Sequence, residues 1–144
     1  MTGLSPADPL DLAHAMQFTM MAMDCLTEAE SAYHPISKPA TYVSQAEAAE
    51  PVIQEYLKSR LPRFLGNLEN SLKANTKSED WAIGESLTFA DAVLFQLIRG
   101  YKTSQREHYA ANESIPLIKA HTLRMYNLPA IVEFMASDRS TKME

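Results

Sequence analysis

Four histidines, one cysteine and 18 acidic side chains are what this 144-residue chain offers for binding a metal or moving a proton. His14, His34, His108 and His121 include no pair one helical turn apart and no His-Glu-x-x-His, so their spacing supports no zinc site. Cys25 stands alone. It can form no internal disulfide, leaves no cysteine framework for zinc, and falls on an apolar helix flank where a thiol usually packs inertly. Nothing reads as a glycine-rich phosphate loop, a Gly-x-Ser-x-Gly elbow or a Walker sequence. Asn112-Glu113-Ser114 fits a glycosylation sequon, but no export signal accompanies it. One local pattern has clear chemistry: in Ile83-Gly84-Glu85-Ser86-Leu87-Thr88-Phe89-Ala90-Asp91, Thr88 can cap the following turn while Asp91 reaches back to the Thr88 amide. Such a box satisfies two of a helix's orphan donors reciprocally. It makes Asp91 a fold determinant rather than a catalytic acid.

The elements that must carry these groups are helical. Asp8-Pro9, a cap followed by proline at the first helical position, opens a helix to about Ser31, which the prolines of His34-Pro35-Ile36-Ser37-Lys38-Pro39 end. Asp11, His14, Gln17, Asp24 and Glu28 make one narrow polar stripe, interrupted by Met21, and much of the remaining circumference is apolar. A helix packed on a single core needs one apolar stripe; this helix has a spare. Its methionines between Met16 and Met23 suit core filling, or a deformable wall for a ligand or partner. A second helix is expected near Ser44, with Glu47 completing a capping box, and its apolar series Ala49, Ile53, Leu57, Leu61, Phe64, Leu68, Leu72 steps by three or four. Pro62 should kink that helix without ending it, since the series continues. The third, from Thr88, is apolar nearly all round and belongs at the centre, with fraying or exposure expected over Lys102 to His108. Two more follow, about Pro116–Tyr126 and Pro129–Ala136. The chain thus reads as one all-α domain over residues 1–144, a five-to-six-helix bundle with a central buried helix.

Composition excludes several classes. With 4 glycines and no Asn-Gly or Asp-Gly pair, an all-β fold is not expected. No apolar run approaches the ~18 residues of a membrane span. The N-terminus lacks the basic start and apolar core of a signal peptide, so cytoplasm is the expected compartment. Residues 1–50 hold seven acids against one base, Lys38. That front half repels phosphate backbones, so no nucleic-acid partner is expected.

Gly84-x-x-Leu87-Thr88-x-Ala90-Asp91 resembles the capping box and hydrophobic staple of the glutathione transferase C-terminal domain. Leu61-Pro62-x-Phe64-Leu65 with Leu68-Glu69 is similar to that domain's kinked second helix. Pro116-Leu117 and the run Asn127 to Ser137 resemble its closing helices, and Gly3-Leu4-Ser5-Pro6-x-Asp8 the stretch that joins its two domains. The resemblance, closest to Sigma- and Pi-like members, covers essentially the whole chain. It implies a helical half without the thioredoxin-like domain that carries the family's catalytic residue, and hence no conjugation by this chain alone. No cofactor is implied; glutathione is a co-substrate once the other domain is present. The resemblance further implies that Asp24 reaches across a two-fold dimer to the partner's glutathione amine. It also implies that Leu26, Tyr33, Val93 and Leu97 line the pocket for a small hydrophobic electrophile. The first two helices would form the homodimer contact, which gives the spare apolar stripe a use. The rival expectation is a non-catalytic module that docks a larger protein assembly through the same helices. A third is a carrier for apolar compounds.

Overall fold

The computed structural model describes residues 3–140; Met1, Thr2 and the last four residues lie outside it. Its elements are α1 (Pro9–Tyr33), a 3-10 turn (Val43–Gln45), α2 (Ala46–Glu55), a π-helical turn (Tyr56–Arg60), α3 (Leu61–Ala74), α4 (Phe89–Ser104), α5 (Arg106–Ala111), α6 (Pro116–Tyr126) and α7 (Pro129–Ala136). Because α2, the π turn and α3 run on without a break, the bundle has six helical rods, and no strand occurs among the described residues. The all-α reading holds.

Asp8 caps α1 as its sequence suggests, accepting the Asp11 amide at 3.1 Å. The buried face of α1 is Ala15, Phe18, Ala22, Cys25 and Ala32. Small residues at helical spacing let a neighbouring helix come close, and α1 makes its most extensive packing with α4. Central α4 also meets α5 and α6, burying Ala90, Leu94, Leu97 and Ile98 among others.

Three local expectations need correction. Ser44 does not cap the second helix. Its hydroxyl donates to the Thr41 carbonyl at 2.8 Å, and α2 starts two residues later, because Gln45 is taken up in organising the loop before it. Buried Gln45 accepts the Ile36 and Ser37 amides at 3.0 and 3.2 Å and donates to the Ser37 carbonyl at 3.0 Å. The second concerns Lys102 to His108, which is largely exposed as expected but is not a frayed end. Helix α4 runs to Ser104, turns at Gln105 and restarts as α5. Tyr101 anchors the corner, its hydroxyl 2.6 Å from His108 Nδ1 and its ring edge-on to Tyr109. The third concerns Met16, Met20 and Met23, which are not core filler: they are 54%, 66% and 48% exposed.

Pro62 produces the expected distortion without a break. Proline has no N–H and its ring crowds the carbonyl four residues back. The chain widens to a π turn just before it, and Leu61 donates to the Tyr56 carbonyl five residues earlier. A widened turn brings consecutive side chains inward, and Tyr56 and Leu57 are both buried.

The Thr88–Asp91 box is present in both arms and reaches further than its own helix. Asp91 Oδ2 accepts the Thr88 amide at 2.7 Å and the Thr88 hydroxyl at 2.9 Å. Its Oδ1 accepts the Ala82 amide at 2.6 Å and His121 Nε2, from α6, at 2.9 Å. Nearby Gly84 has φ +71, and a Cβ there would meet Asp11 Oδ2 at 3.0 Å, so the motif's glycine answers both backbone and space. Helix α6 receives a second interhelical cap, for Glu69 of α3 accepts the Leu117 and Ile118 amides at 2.7 and 2.9 Å. A carboxylate on a helix's positive end satisfies orphan donors and opposes the dipole. Glu69→Ala is expected to lower stability by about 1–2 kcal/mol, read as a drop in urea midpoint at unchanged slope. An unaltered midpoint would show this cap to be dispensable.

Candidate functional site

A cavity of about 400 Å³ opens between the C-terminal half of α1, the π turn and the C-terminal half of α4. Helical spacing explains its walls. Leu26, Ala29 and Tyr33 stand on one face of α1, and Leu97, Gly100, Tyr101 and Ser104 on one face of α4. The π turn adds Tyr56 and Leu57 side by side, which a regular helix would not do. Gly100 leaves room, since a Cβ built there meets nothing within 4 Å. The rim carries Glu30, His34, Thr103 and Gln105.

Hydrogen bonds fix the aromatic walls. Tyr33 Oη accepts from Gln105 Nε2 at 2.7 Å, and its ring lies 5.7 Å from that of Tyr42. Tyr56 donates to the Cys25 carbonyl at 3.1 Å, and its oxygen lies 3.2 Å from Cys25 Sγ. Burial pushes the Cys25 thiol up to about 11, so it stays protonated at neutral pH and is no nucleophile. Burial likewise raises Tyr56 far above the usual phenol range. Neither group is set up for acid–base work at neutral pH; both hold the wall.

Of the four residues expected to share a pocket, Leu26, Tyr33 and Leu97 line this cavity. Val93 does not: it lies one turn before Leu97 and packs, partly buried, against the hydrophobic core. Asp24 is exposed on α1, outside the cavity. Helical geometry sets it beside the exposed Met20 and Met23. Thr88 and Asp91 are buried in the knot and do not line this cavity. Sequence reasoning missed Tyr56, Gly100 and Gln105. Tyr56 and Leu57 are adjacent, so a regular periodicity admits only one of them to a helix face.

The polar stripe of α1 has two uses. Asp11, His14 and Gln17 line a second, amide-rich cleft of about 550 Å³ against Asn67, Asn70 and Ser71 of α3. Lys77 closes one end of it, with Nζ 2.8 Å from both Asp11 oxygens. Further along, Glu28 takes the Arg60 Nε at 2.7 Å, and that guanidinium holds its carboxyl below the usual range. No group of three or more metal-ligating side chains occurs among the described residues, and no described helix is long and apolar enough to cross a membrane.

The glutathione S-transferase C-terminal domain family model matches residues 30–138. A glutathione S-transferase of Dirofilaria immitis is 31% identical over 97 residues, 67% of this chain and 45% of that protein. One from Plasmodium falciparum is 28% identical over 90 residues, covering 60% and 41%. The chain therefore spans less than half the length of these curated relatives. Among solved structures, a glutathione S-transferase of the hookworm Necator americanus, described as monomeric, superposes with a TM-score of 0.74 at 22% identity. That match covers 98% of this chain and 64% of the hookworm one. Rat hPGDS complexed with a quinoline gives 0.75 at 16%, covering 99% and 63%. At these identities the superpositions speak for the fold, a shared helical bundle. With a family match across most of its length, this chain belongs to the glutathione S-transferase family as a C-terminal helical domain.

Proposed function

We propose that this domain binds the apolar electrophile of a glutathione transferase and helps to join two subunits. The observation that carries the reading is the cavity between α1, the π turn and α4, whose walls are aliphatic and aromatic. Pockets for small molecules are mostly apolar with a few fixed polar groups, and this one has Tyr33 and Gln105 at one edge. In the proposed reaction the glutathione sulfur attacks the electrophile held in this cavity. Thiol activation in this proposal falls to a thioredoxin-like part of the transferase, and the 144-residue chain by itself is expected not to turn over, which a conjugation assay on the purified chain tests.

Asp24 has a place in the same scheme. It is exposed beside the methionine stripe, so a subunit covering that stripe meets its carboxylate at the edge. A carboxylate facing an ammonium group across an interface orients the ligand. In a full-length context, Asp24→Asn leaving glutathione affinity unchanged would remove this role. The exposed stripe also favours a second reading, a module that docks a larger assembly without catalysis. That reading requires a stable complex indifferent to glutathione. A cytoplasmic setting suits either.

The cavity itself is tested at Gly100. A phenylalanine there extends into the pocket and fills it, and replacing glycine inside a helix favours folding by about a few tenths of a kcal/mol. Gly100→Phe is expected to lower affinity for a neutral fluorescent arene at least about tenfold while thermal stability holds or rises. Undiminished binding in a folded variant would move the site elsewhere.

A further inference from the structure

We infer that this cavity selects uncharged apolar molecules, with one hydrogen-bond acceptor turned toward Tyr33 and Gln105, and rejects anions of the same shape. The inference rests on the reading of the cavity as the electrophile pocket and concerns which electrophiles it admits. Two independent observations carry it.

The first is charge. The residues lining the cavity include no lysine or arginine, and the acidic side chain among them is Glu30 at the rim. Lys38, close by, already has Glu30 as its partner, with Nζ 3.2 Å from Oε2. An anion entering the cavity therefore finds no cation on its walls, and the lysine close by is already held by a carboxylate.

The second is hydrogen bonding. Most of the donors that line the cavity are spent on the protein. The Tyr56 hydroxyl donates to the Cys25 carbonyl at 3.1 Å. Thr103 donates to the Arg99 carbonyl at 2.9 Å, and Ser104 to that of Gly100 at 3.0 Å. His34 turns its Nδ1 to the loop, 3.0 Å from the Ala40 carbonyl. What remains is one place: Gln105 gives one N–H to the Tyr33 oxygen at 2.7 Å, leaving the second amide hydrogen and the Tyr33 hydroxyl proton to donate. Two neutral donors satisfy a carbonyl, an ether or a ring nitrogen. They do not offset stripping water from a carboxylate or sulfonate, for which a buried ion needs a counter-charge.

A matched pair of dyes tests this: phenylnaphthylamine, which is neutral, and anilinonaphthalene sulfonate, which adds a sulfonate to the same skeleton. Titrated against the full 144-residue chain and followed by fluorescence, the neutral dye is expected to bind about tenfold more tightly or better. A neutral dye is also simply more apolar, so a second variant separates the causes. Ser104→Lys puts a cation on the wall at an exposed helical position. It is expected to raise sulfonate affinity about tenfold while leaving the neutral dye within twofold. Equal affinities for both dyes in the unaltered chain, or no gain for the sulfonate in folded Ser104→Lys, would overturn the selectivity. The pocket reading survives either result if Gly100→Phe still abolishes binding of the neutral dye. Indifference of both dyes to Gly100→Phe would instead remove the pocket and this inference together.

Discussion

Asp91→Ala is expected to cost about 3–5 kcal/mol, the penalty for stranding the partners of a buried charged group. The carboxylate is fully buried and receives four donors from three parts of the chain: the Ala82 amide, the Thr88 amide and hydroxyl, and His121 of α6. Alanine leaves all four facing a void that water does not reach easily. A domain of this size has about 5–15 kcal/mol in total, so much of its stability goes with one side chain. The loss is also non-local. The start of α4, the segment before it and α6 lose their common tie, and α7 packs on α6 alone among the helices. Urea unfolding followed by far-UV circular dichroism measures the effect, and a change below about 1 kcal/mol would show that the knot is not what holds these elements. Asp91→Asn should fall between, because an amide keeps one acceptor but turns an N–H₂ toward groups that are themselves donors. His121→Ala should cost less than Asp91→Ala, since Asp91 keeps three of its four donors.

The same knot shows how far the sequence could be read. Thr88 and Asp91 announce themselves because a capping box is local, three residues apart with fixed geometry. His121 is thirty residues further on, and local spacing could not pair it with Asp91. A clue was available: His121 shares its helix face with Ile118 and Met125, both buried, and a histidine buried there needs a partner. Gln45 carries no local signal for a similar reason, because its bonds close a loop rather than continue a pattern. The opening of the second helix was misplaced where a good local signal, Ser44 with Glu47, lost to that loop. The apolar series from Ala49 to Leu72 did foresee a helix that survives Pro62. It missed that a π turn would bring Tyr56 and Leu57 to the cavity together, because one extra residue per turn breaks the periodicity used to read faces. Leu26 and Tyr33 share a cavity with Leu97 because seven residues return α1 to the same face, and that face looks across to Leu97 of α4. Val93 falls outside because the α4 wall of the cavity begins at Leu97 and runs toward the C-terminus, whereas Val93 lies about 5.4 Å the other way along the axis.

Replacing Met16, Met20 and Met23 together by glutamine is expected to abolish self-association while leaving the fold intact. The three occupy one stripe of α1, at steps of four and three, on the side opposite Ala15, Phe18, Ala22 and Cys25. At 54%, 66% and 48% exposure they contribute little to the core, so their loss should change stability by no more than about 0.5 kcal/mol each. Covered by a second copy, each half-exposed methionine contributes about 1 kcal/mol, and because a two-fold dimer buries the stripe of both copies, six side chains together set the dissociation constant on the order of ten-thousandfold lower. Methionine suits such a surface because an unbranched thioether adapts to an imperfect fit. Sedimentation across a concentration series reads the result directly. A dimer that persists in the triple variant would place the contact on another face. An unaltered chain that remains monomeric at high concentration, as the hookworm relative is described, would leave the stripe for a different protein and favour the docking module over the two-subunit transferase. Asp24 then discriminates further. It borders the stripe, so Asp24→Asn should weaken glutathione binding in the full-length dimer and have no effect in a docking module. The two substitutions together therefore ask whether the apolar surplus of α1 and its neighbouring acid belong to one interface.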